Sequence, residues 1–159
     1  MMNTRRQCVV FCLIIFLLVS CNKNDGRNVV SDFPKVSKPY HSEQAVKNGD
    51  VVNIHGTYFN IEKWKTFLGN LESNQPSKVR ITQYTVEGDP IFYELTYDGN
   101  LVHYTFDNSM DAFGSDLRRP STICKSIEKK KSEQGMEGFI LKGCDISKTG
   151  DTFWFVDQK

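Results

Sequence analysis

The stretch Val79–Phe106, VRITQYTVEGDPIFYELTYDGNLVHYTF, decides the predicted fold of this chain. Its apolar and polar residues alternate, which is the period of a β-strand with one buried face. Two short polar segments interrupt the alternation, Glu87–Pro90 and Asp98–Leu101. Each contains a glycine at the place where a tight hairpin turn needs a positive φ. The stretch therefore predicts a three-stranded antiparallel meander.

Turn length sets the expected register of this meander. A two-residue loop in the first turn places Tyr84 opposite Tyr93, and a two-residue loop in the second places Tyr97 opposite Val102. The two turn assignments, made independently, place the apolar residues on the same face of the meander, as a correct register should. The residues expected on that face are Tyr84, Val86, Ile91, Tyr93, Leu95, Tyr97, Val102, Tyr104 and Phe106.

Two helices are predicted before the meander. A short one begins at Ser42, a good N-cap residue, and ends at Gly49, a good C-cap residue. A longer one runs from Ile61 to about Ser73 with Asn60 as its N-cap. Its apolar residues recur at the helical period and would cover the sheet. They are Ile61, Trp64, Leu68 and Leu71, widened by Phe67. Trp64 is better explained as a core residue than as a ligand platform.

Two further segments complete the predicted fold. Thr122–Glu128 and Glu137–Cys144 form a second hairpin, and Thr152–Val156 is a final short strand. The whole is an α+β domain, an antiparallel β-meander of about five or six strands packed against one main helix and one short helix.

The N-terminus predicts export. Arg5 and Arg6 precede the apolar run Cys8–Val19, which has 12 residues. About 20 apolar residues are needed to span a bilayer, so the run is typical of a signal peptide. The run ends in Leu18-Val19-Ser20-Cys21, which resembles the lipobox of bacterial lipoproteins. An ordinary signal peptide or a short anchor helix is the alternative.

The lipobox resemblance implies that Cys21 carries a diacylglycerol and holds the protein at the outer face of the cell membrane. Residues 1–20 are then the signal peptide, and 21–40 are the lipidated cysteine and a flexible tether. Residues 41–159 form a single α+β domain. The membrane, reached through Cys21, is the expected partner, and the domain is expected to be monomeric.

Charge argues against nucleic acid as a partner. The chain has 20 Lys and Arg against 19 Asp and Glu, so removing Arg5 and Arg6 leaves 18 against 19, a net charge of −1. Nucleic-acid binding needs a clear basic surplus.

The cysteines predict one disulfide. Of the five, Cys8 and Cys12 leave with the signal peptide and Cys21 takes the lipid. Cys124 and Cys144 remain, and outside the cytoplasm such a pair is most simply a disulfide.

Several short motifs together resemble a family of small Gram-positive lipoproteins that is classed only as a domain of unknown function. The likeness covers about His41 to the C-terminus and implies an exported, membrane-anchored protein, but it carries over no activity. The motifs are Lys47–Asn53 with His55-Gly56, Tyr84–Ile91, Asp107-Asn108 with Asp111, and Cys124 with Cys144.

One loop holds candidate metal ligands. Asp107, Asp111 and Asp116, with Asn108, supply oxygens that Ca²⁺ could use, although the EF-hand spacing is absent. A solvated turn is the alternative and the preferred explanation. The three histidines, His41, His55 and His103, show no ligand spacing.

No nucleophile elbow or phosphate-binding loop is present in the sequence, and no cofactor is expected. The leading hypothesis is a non-catalytic binding or interaction module of the cell envelope. The alternative is an envelope hydrolase with a site around Asp107, Asp111, His55 and Glu87. A third hypothesis is a structural partner of a larger envelope complex.

Overall fold

The computed structural model describes residues 32–114, 116 and 118–157. The predicted signal peptide, Cys21 and the first part of the predicted tether lie outside these residues. Within the described part, no helix has the length and apolar character needed to cross a membrane.

The α+β prediction is confirmed. Within the described residues, one six-stranded sheet, in the spatial order β2-β1-β3-β4-β5-β6, is accompanied by a two-stranded sheet and three helices. The strands of the large sheet are β1 Val51–Ile54, β2 Thr57–Phe59, β3 Ser77–Tyr84, β4 Pro90–Tyr97, β5 Val102–Asp107 and β6 Ser121–Cys124. The small sheet pairs β7 Ser126–Lys131 with β8 Glu137–Lys142. The helices are α1 Ser42–Asn48, α2 Ile61–Glu72 and the single turn α3 Ser147–Gly150.

The sequence suggested an antiparallel sheet, but one pair of strands in the large sheet is parallel. Strand β1 runs parallel to β3, with Val51 beside Ile81 and Ile54 beside Tyr84. Parallel neighbours need a long crossover, and here β2 and helix α2 provide it between β1 and β3. The other strand pairs are antiparallel.

The predicted register of the first hairpin is wrong. Tyr84 lies opposite Pro90, and Ile81 lies opposite Tyr93. The amide of Gly88 donates to the carbonyl of Thr85, and the Thr85 amide donates to the Asp89 carbonyl. Gly88 has φ +90°. The loop therefore has three residues, with a positive-φ glycine at its end, rather than two.

This longer loop moves Tyr84 to the other face of the sheet, because side chains alternate between faces along a strand. Val79 and Ile81 take its place on the core face, and Val86 is 85% exposed at the loop tip. The second turn is as predicted, since Tyr97 pairs with Val102.

The core lies between the sheet and a cover made by α2, the β7–β8 hairpin and the C-terminal segment. Trp64 of α2 is fully buried at its centre and contacts four phenylalanine rings, which confirms it as a core residue. Those rings are Phe67, Phe139, Phe153 and Phe155. A smaller cluster on the opposite face contains Tyr40, Ala45, Val52 and Phe92.

The predicted start of α1 differs by one residue, whereas α2 begins at Ile61 after Asn60 as expected. Helix α1 has His41 rather than Ser42 as its N-cap, while Gly49 ends it as expected. Asn60 precedes α2, but its side chain makes no cap bond. It donates instead to the carbonyls of Val46 and Asp50, and so joins α1 to the start of α2.

The second hairpin has the register that a Cys124–Cys144 pair requires, and the disulfide is present. The predicted strand Thr122–Glu128 is divided, because β6 joins the large sheet and β7 pairs with β8. The predicted final strand is wrong. Only Phe155 forms a bridge, to Phe139, since helix α3 and its exit turn direct the chain across the hairpin.

Candidate functional site

A buried ion pair, Asp50 with Arg80, lies on the sheet face opposite the main core. Asp50 follows Gly49, which ends α1 in the left-handed conformation, and precedes β1. Because Val51 pairs with Ile81 in parallel register, Asp50 lies beside Arg80. The Arg80 Nε donates to Asp50 Oδ1 over 2.9 Å.

Hydroxyl groups complete the hydrogen bonding of this carboxylate. The hydroxyls of Tyr40 and Thr82 both donate to Asp50 Oδ2, each over 2.8 Å. Asp50, Arg80, Thr82 and Tyr40 are all less than 5% exposed. A buried charge is tolerated only when it is paired and hydrogen-bonded, and this arrangement meets both conditions.

The pair extends into a chain of alternating charges. Glu94 lies directly opposite Arg80 in the β3–β4 register, and its Oε1 is 3.4 Å from Arg80 Nη1. Arg119 then contacts Glu94 Oε2 at 2.6 Å and Asp107 Oδ2 at 3.0 Å. We call this series, Asp50–Arg80–Glu94–Arg119–Asp107, the ionic chain.

The residues before α1 contact the ionic chain. The backbone carbonyl of Pro34 accepts a bond of 2.9 Å from Arg80 Nη1, and that of Asp32 accepts one of 2.7 Å from Lys78. The Phe33 ring lies 5.0 Å from the Lys78 ammonium. Residues 32–34, which the sequence placed in the tether, therefore pack on β3.

A groove of about 670 Å³ lies along this face, between residues 32–36 and the loop that connects β5 to β6. Its polar lining is Asp32, Lys35, Arg80, Glu94, Thr96, His103, Thr105, Asp107 and Arg119, and its apolar lining includes Phe33, Phe92 and Met110. Its size is in the range of small-molecule sites.

Burial shifts the pKa values here. Burial raises the pKa of Asp50 above its ordinary value, and the Arg80 guanidinium opposes that rise. Burial, together with the Asp50 charge, raises the pKa of Tyr40 to about 12. A tyrosine that holds its proton so firmly acts here as a hydrogen-bond donor to Asp50, and not as an acid near neutral pH.

The four residues of the hydrolase hypothesis do not share one cavity. Asp107 lines the groove of the ionic chain, where Arg119 holds it. His55 lines a separate cavity of about 240 Å³ and contacts the Thr85 carbonyl at 3.0 Å. Asp111 Oδ1 accepts from the Phe113 amide, and Glu87 is exposed in the first hairpin loop.

The candidate metal ligands have other partners. Asp107 is paired with Arg119 and also accepts from the Ser109 amide, while Asp116 is paired with Arg118 at 2.9 Å. Among residues 32–114, 116 and 118–157, no group of three or more His, Cys, Asp and Glu side chains is placed to hold a metal ion.

His103 lies in the groove, opposite Thr96 in the β4–β5 register. Its Nε2 is 3.0 Å from Asp98 Oδ2, so its carboxylate partner comes from the turn at the end of its own hairpin.

The sequence did not single out Asp50 or Arg80. Asp50 follows the end of a predicted helix and Arg80 stands in a predicted strand, and neither prediction needs a charged residue at that position. Only the parallel pairing of β1 with β3 brings the two side chains together. One signal could have revealed the cross-strand partner of Arg80. Once the first hairpin has the correct register, Arg80 and Glu94 are opposite charges directly across the strands, a favourable pair.

Comparisons with curated proteins and with solved structures gave no match for this chain. A family model described as "Domain of unknown function (DUF4362)" matches residues 48–137. All five members of the ionic chain lie within the matched residues, whereas Tyr40 and residues 32–36 precede them. The match spans more than half of the chain, and the protein therefore belongs to the DUF4362 family of domains of unknown function.

Proposed function

We propose that this protein is a lipid-anchored, extracytoplasmic binding domain that acts without catalysis. The Cys124–Cys144 disulfide is the observation that carries the location. Cys124 is fully buried, and the bond ties the end of β6 to the segment that follows β8. Structural disulfides form and persist in oxidising compartments, so the bond supports export.

The anchor is supported by the sequence of the N-terminus. The apolar run Cys8–Val19 and the motif ending at Cys21 favour a lipidated cysteine. In sequence, residues 22–31 separate that cysteine from Asp32, whose carbonyl accepts a hydrogen bond from Lys78 of β3. The resemblance of the motifs to small Gram-positive lipoproteins supports the same assignment.

The ionic chain supports binding rather than catalysis. General acids and bases need a proton that can be exchanged near the working pH. In the groove of the ionic chain, Glu94 is held by two arginines and Asp107 by one. Both carboxylates are already paired with arginines of the same chain, and such pairing holds their side chains in place. Fixed side chains suit a rigid binding surface. The separation of His55 from Asp107 likewise gives the hydrolase hypothesis no assembled site.

The anchor can be tested by metabolic labelling of the full chain with a radioactive fatty acid. The unchanged protein should be labelled and recovered with membranes, whereas Cys21→Ser should lose the label and leave the membrane fraction. Cys12→Ser is the matched control, because it changes a cysteine in the same N-terminal segment and should keep the label. Label that persists in Cys21→Ser would refute the anchor.

A further inference from the structure

A second groove, of about 500 Å³, lies away from the ionic chain, between the β7–β8 hairpin and helix α3. Phe139 and Leu141 of β8 face the core, so Ile140 and Lys142 belong to the outer side of the hairpin. Both of these outer residues line the groove, together with Trp154. The volume is enough for a small organic ligand or a few sugar units.

Trp154 forms one wall because β8 has a glycine beneath it. A Cβ added to Gly138 would lie 2.6 Å from Trp154 Cζ2 and 2.8 Å from Cε2 and Cη2, so the indole rests on the strand backbone. Glycine weakens a strand interior and often marks a site where a ring or ligand approaches closely. Trp154 itself is only partly buried.

The opposite wall is held by the disulfide. A Cβ added to Gly150 of α3 would lie 2.5 Å from Cys144 Sγ, so the helical turn is packed directly on the bond. Cys144 and Gly150 both line the groove. Two close backbone approaches and one covalent link therefore shape the cavity before any ligand arrives, which lowers the entropic cost of binding.

The polar lining offers both donors and acceptors. Lys130 and Lys142 contribute ammonium groups, and Glu133 and Asp151 contribute carboxylates. Lys130 lies directly opposite Gly138 in the β7–β8 register and so stands beside the Trp154 ring. Ser132 and Ser147 add hydroxyl groups at the rim.

This lining indicates the ligand class. A sugar hydroxyl donates one hydrogen bond and accepts others, so a saccharide needs both kinds of partner around it. Its ring also presents C–H groups that pack on an indole face, which combines apolar area with low flexibility. An anion would need a positive excess, yet Lys131 is 3.5 Å from Glu137 and the remaining ammonium and carboxylate groups balance.

We propose that the groove formed by Trp154, Ile140, Lys130, Lys142 and Asp151 is a binding site for an uncharged saccharide chain. The inference rests on the proposed binding function, but it does not depend on the lipid anchor. Most residues that line the groove come after residue 137, where the family match ends, while Lys130 lies within the match.

The test uses the protein expressed from its full sequence and purified in detergent, which serves whether or not Cys21 carries lipid. Chitotetraose and maltotetraose are the probes, and tripolyphosphate is the anionic comparison. At least one tetrasaccharide should bind, as measured by calorimetry, and should change the tryptophan fluorescence. The change should vanish in Trp154→Phe, because the remaining Trp64 is fully buried in the core.

Exposed polar variants test the site without endangering the fold. Lys142→Gln and Asp151→Asn should each weaken tetrasaccharide binding by about tenfold, as loss of one hydrogen bond to a charged group would. Lys65→Gln, an exposed lysine on α2, is the matched control and should bind normally.

Three outcomes would overturn the inference. One is the absence of heat and of any fluorescence change with both tetrasaccharides at millimolar concentration. Another is equal affinity of Lys142→Gln, Asp151→Asn and Lys65→Gln. The third is tighter binding of tripolyphosphate than of either sugar. Sugar binding by a protein whose unchanged chain takes up no acyl label, or whose Cys21→Ser variant keeps the label, would refute the anchor alone, so the two proposals fail separately.

Discussion

Arg80 Nε lies 2.9 Å from Asp50 Oδ1, and the two side chains are 1% and 2% exposed. This contact joins β3 to the residue that lies between Gly49, which ends α1, and the start of β1. Removing one partner of a buried pair leaves an uncompensated charge, whereas the pair itself adds little net stability over apolar replacements. We therefore expect the free energy of unfolding to fall most when only one of the two charged side chains is replaced.

Arg80→Met should lower the free energy of unfolding by about 3–5 kcal/mol, because Asp50 would remain buried without its counter-charge. Urea denaturation followed by circular dichroism measures the loss. Arg118→Met is the control, since Arg118 pairs with Asp116 at the surface and such pairs contribute about 1 kcal/mol or less. Equal losses in the two variants would contradict the role assigned to burial.

Replacing each of two glycines with alanine should change the stability of the protein in opposite directions. Gly69 lies inside α2 with nothing within 4 Å of an added Cβ, so Gly69→Ala should stabilise the protein by about 1 kcal/mol. Gly138→Ala should destabilise it by about 1–3 kcal/mol, because the new methyl group would displace the Trp154 ring. Thermal unfolding of both variants measures the difference. A stabilised Gly138→Ala would show that the indole does not rest on β8.

The disulfide closes a loop of 20 residues, from Cys124 to Cys144. Replacing both cysteines with serine should lower the free energy of unfolding by about 3 kcal/mol, the chain-entropy value for a loop of this length. Mass spectrometry of a protease digest without reducing agent should find the two cysteines in one linked peptide pair. Recovery of both as free thiols would contradict the pairing.

Tyr40 should make stability fall at alkaline pH. Its pKa is raised by burial to about 12 in the folded protein, against about 10 in an unfolded chain. The unfolded state therefore loses this proton first. The stabilising contribution is complete below about pH 10 and is lost as pH rises towards 12.

Burial also raises the pKa of Tyr58, Tyr84, Tyr93 and Tyr104. The tyrosinate absorbance of the folded protein should consequently rise at higher pH than that of the protein in denaturant. The free energy of unfolding should decline over the same alkaline range. Coincident titration curves for the folded and denatured protein would contradict the burial of these hydroxyl groups.

Helix α2 shows which features sequence alone can predict. Its apolar residues follow the 3.6-residue period, and the helix begins at Ile61 as expected. The second meander turn was predictable for a related reason, because Gly99 and Asn100 fit a two-residue loop and the strands alternate cleanly on either side. In both cases the signal is carried by residues close together in the chain.

The first hairpin shows a feature, its register, that the local sequence pattern did not predict correctly. Val79–Thr82 is buried on both faces, and an alternating pattern does not reveal that a second face will be covered. Helix α1 and residues 32–40 provide the cover, and they are remote in sequence. The amino-acid composition of the first hairpin loop could not decide the length of that loop either, because Gly88 suits a two-residue loop as well as a three-residue loop.

The sequence by itself determined the α+β class, the main helix, the strand alternation and the one cysteine pair left for a disulfide, since each depends on local period or on simple counting. Only the tertiary structure decided that β1 runs parallel to β3, that Asp50 meets Arg80, and that Trp154 rests on Gly138. These contacts join segments between about 15 and 30 residues apart, and their geometry follows from packing that no local pattern encodes.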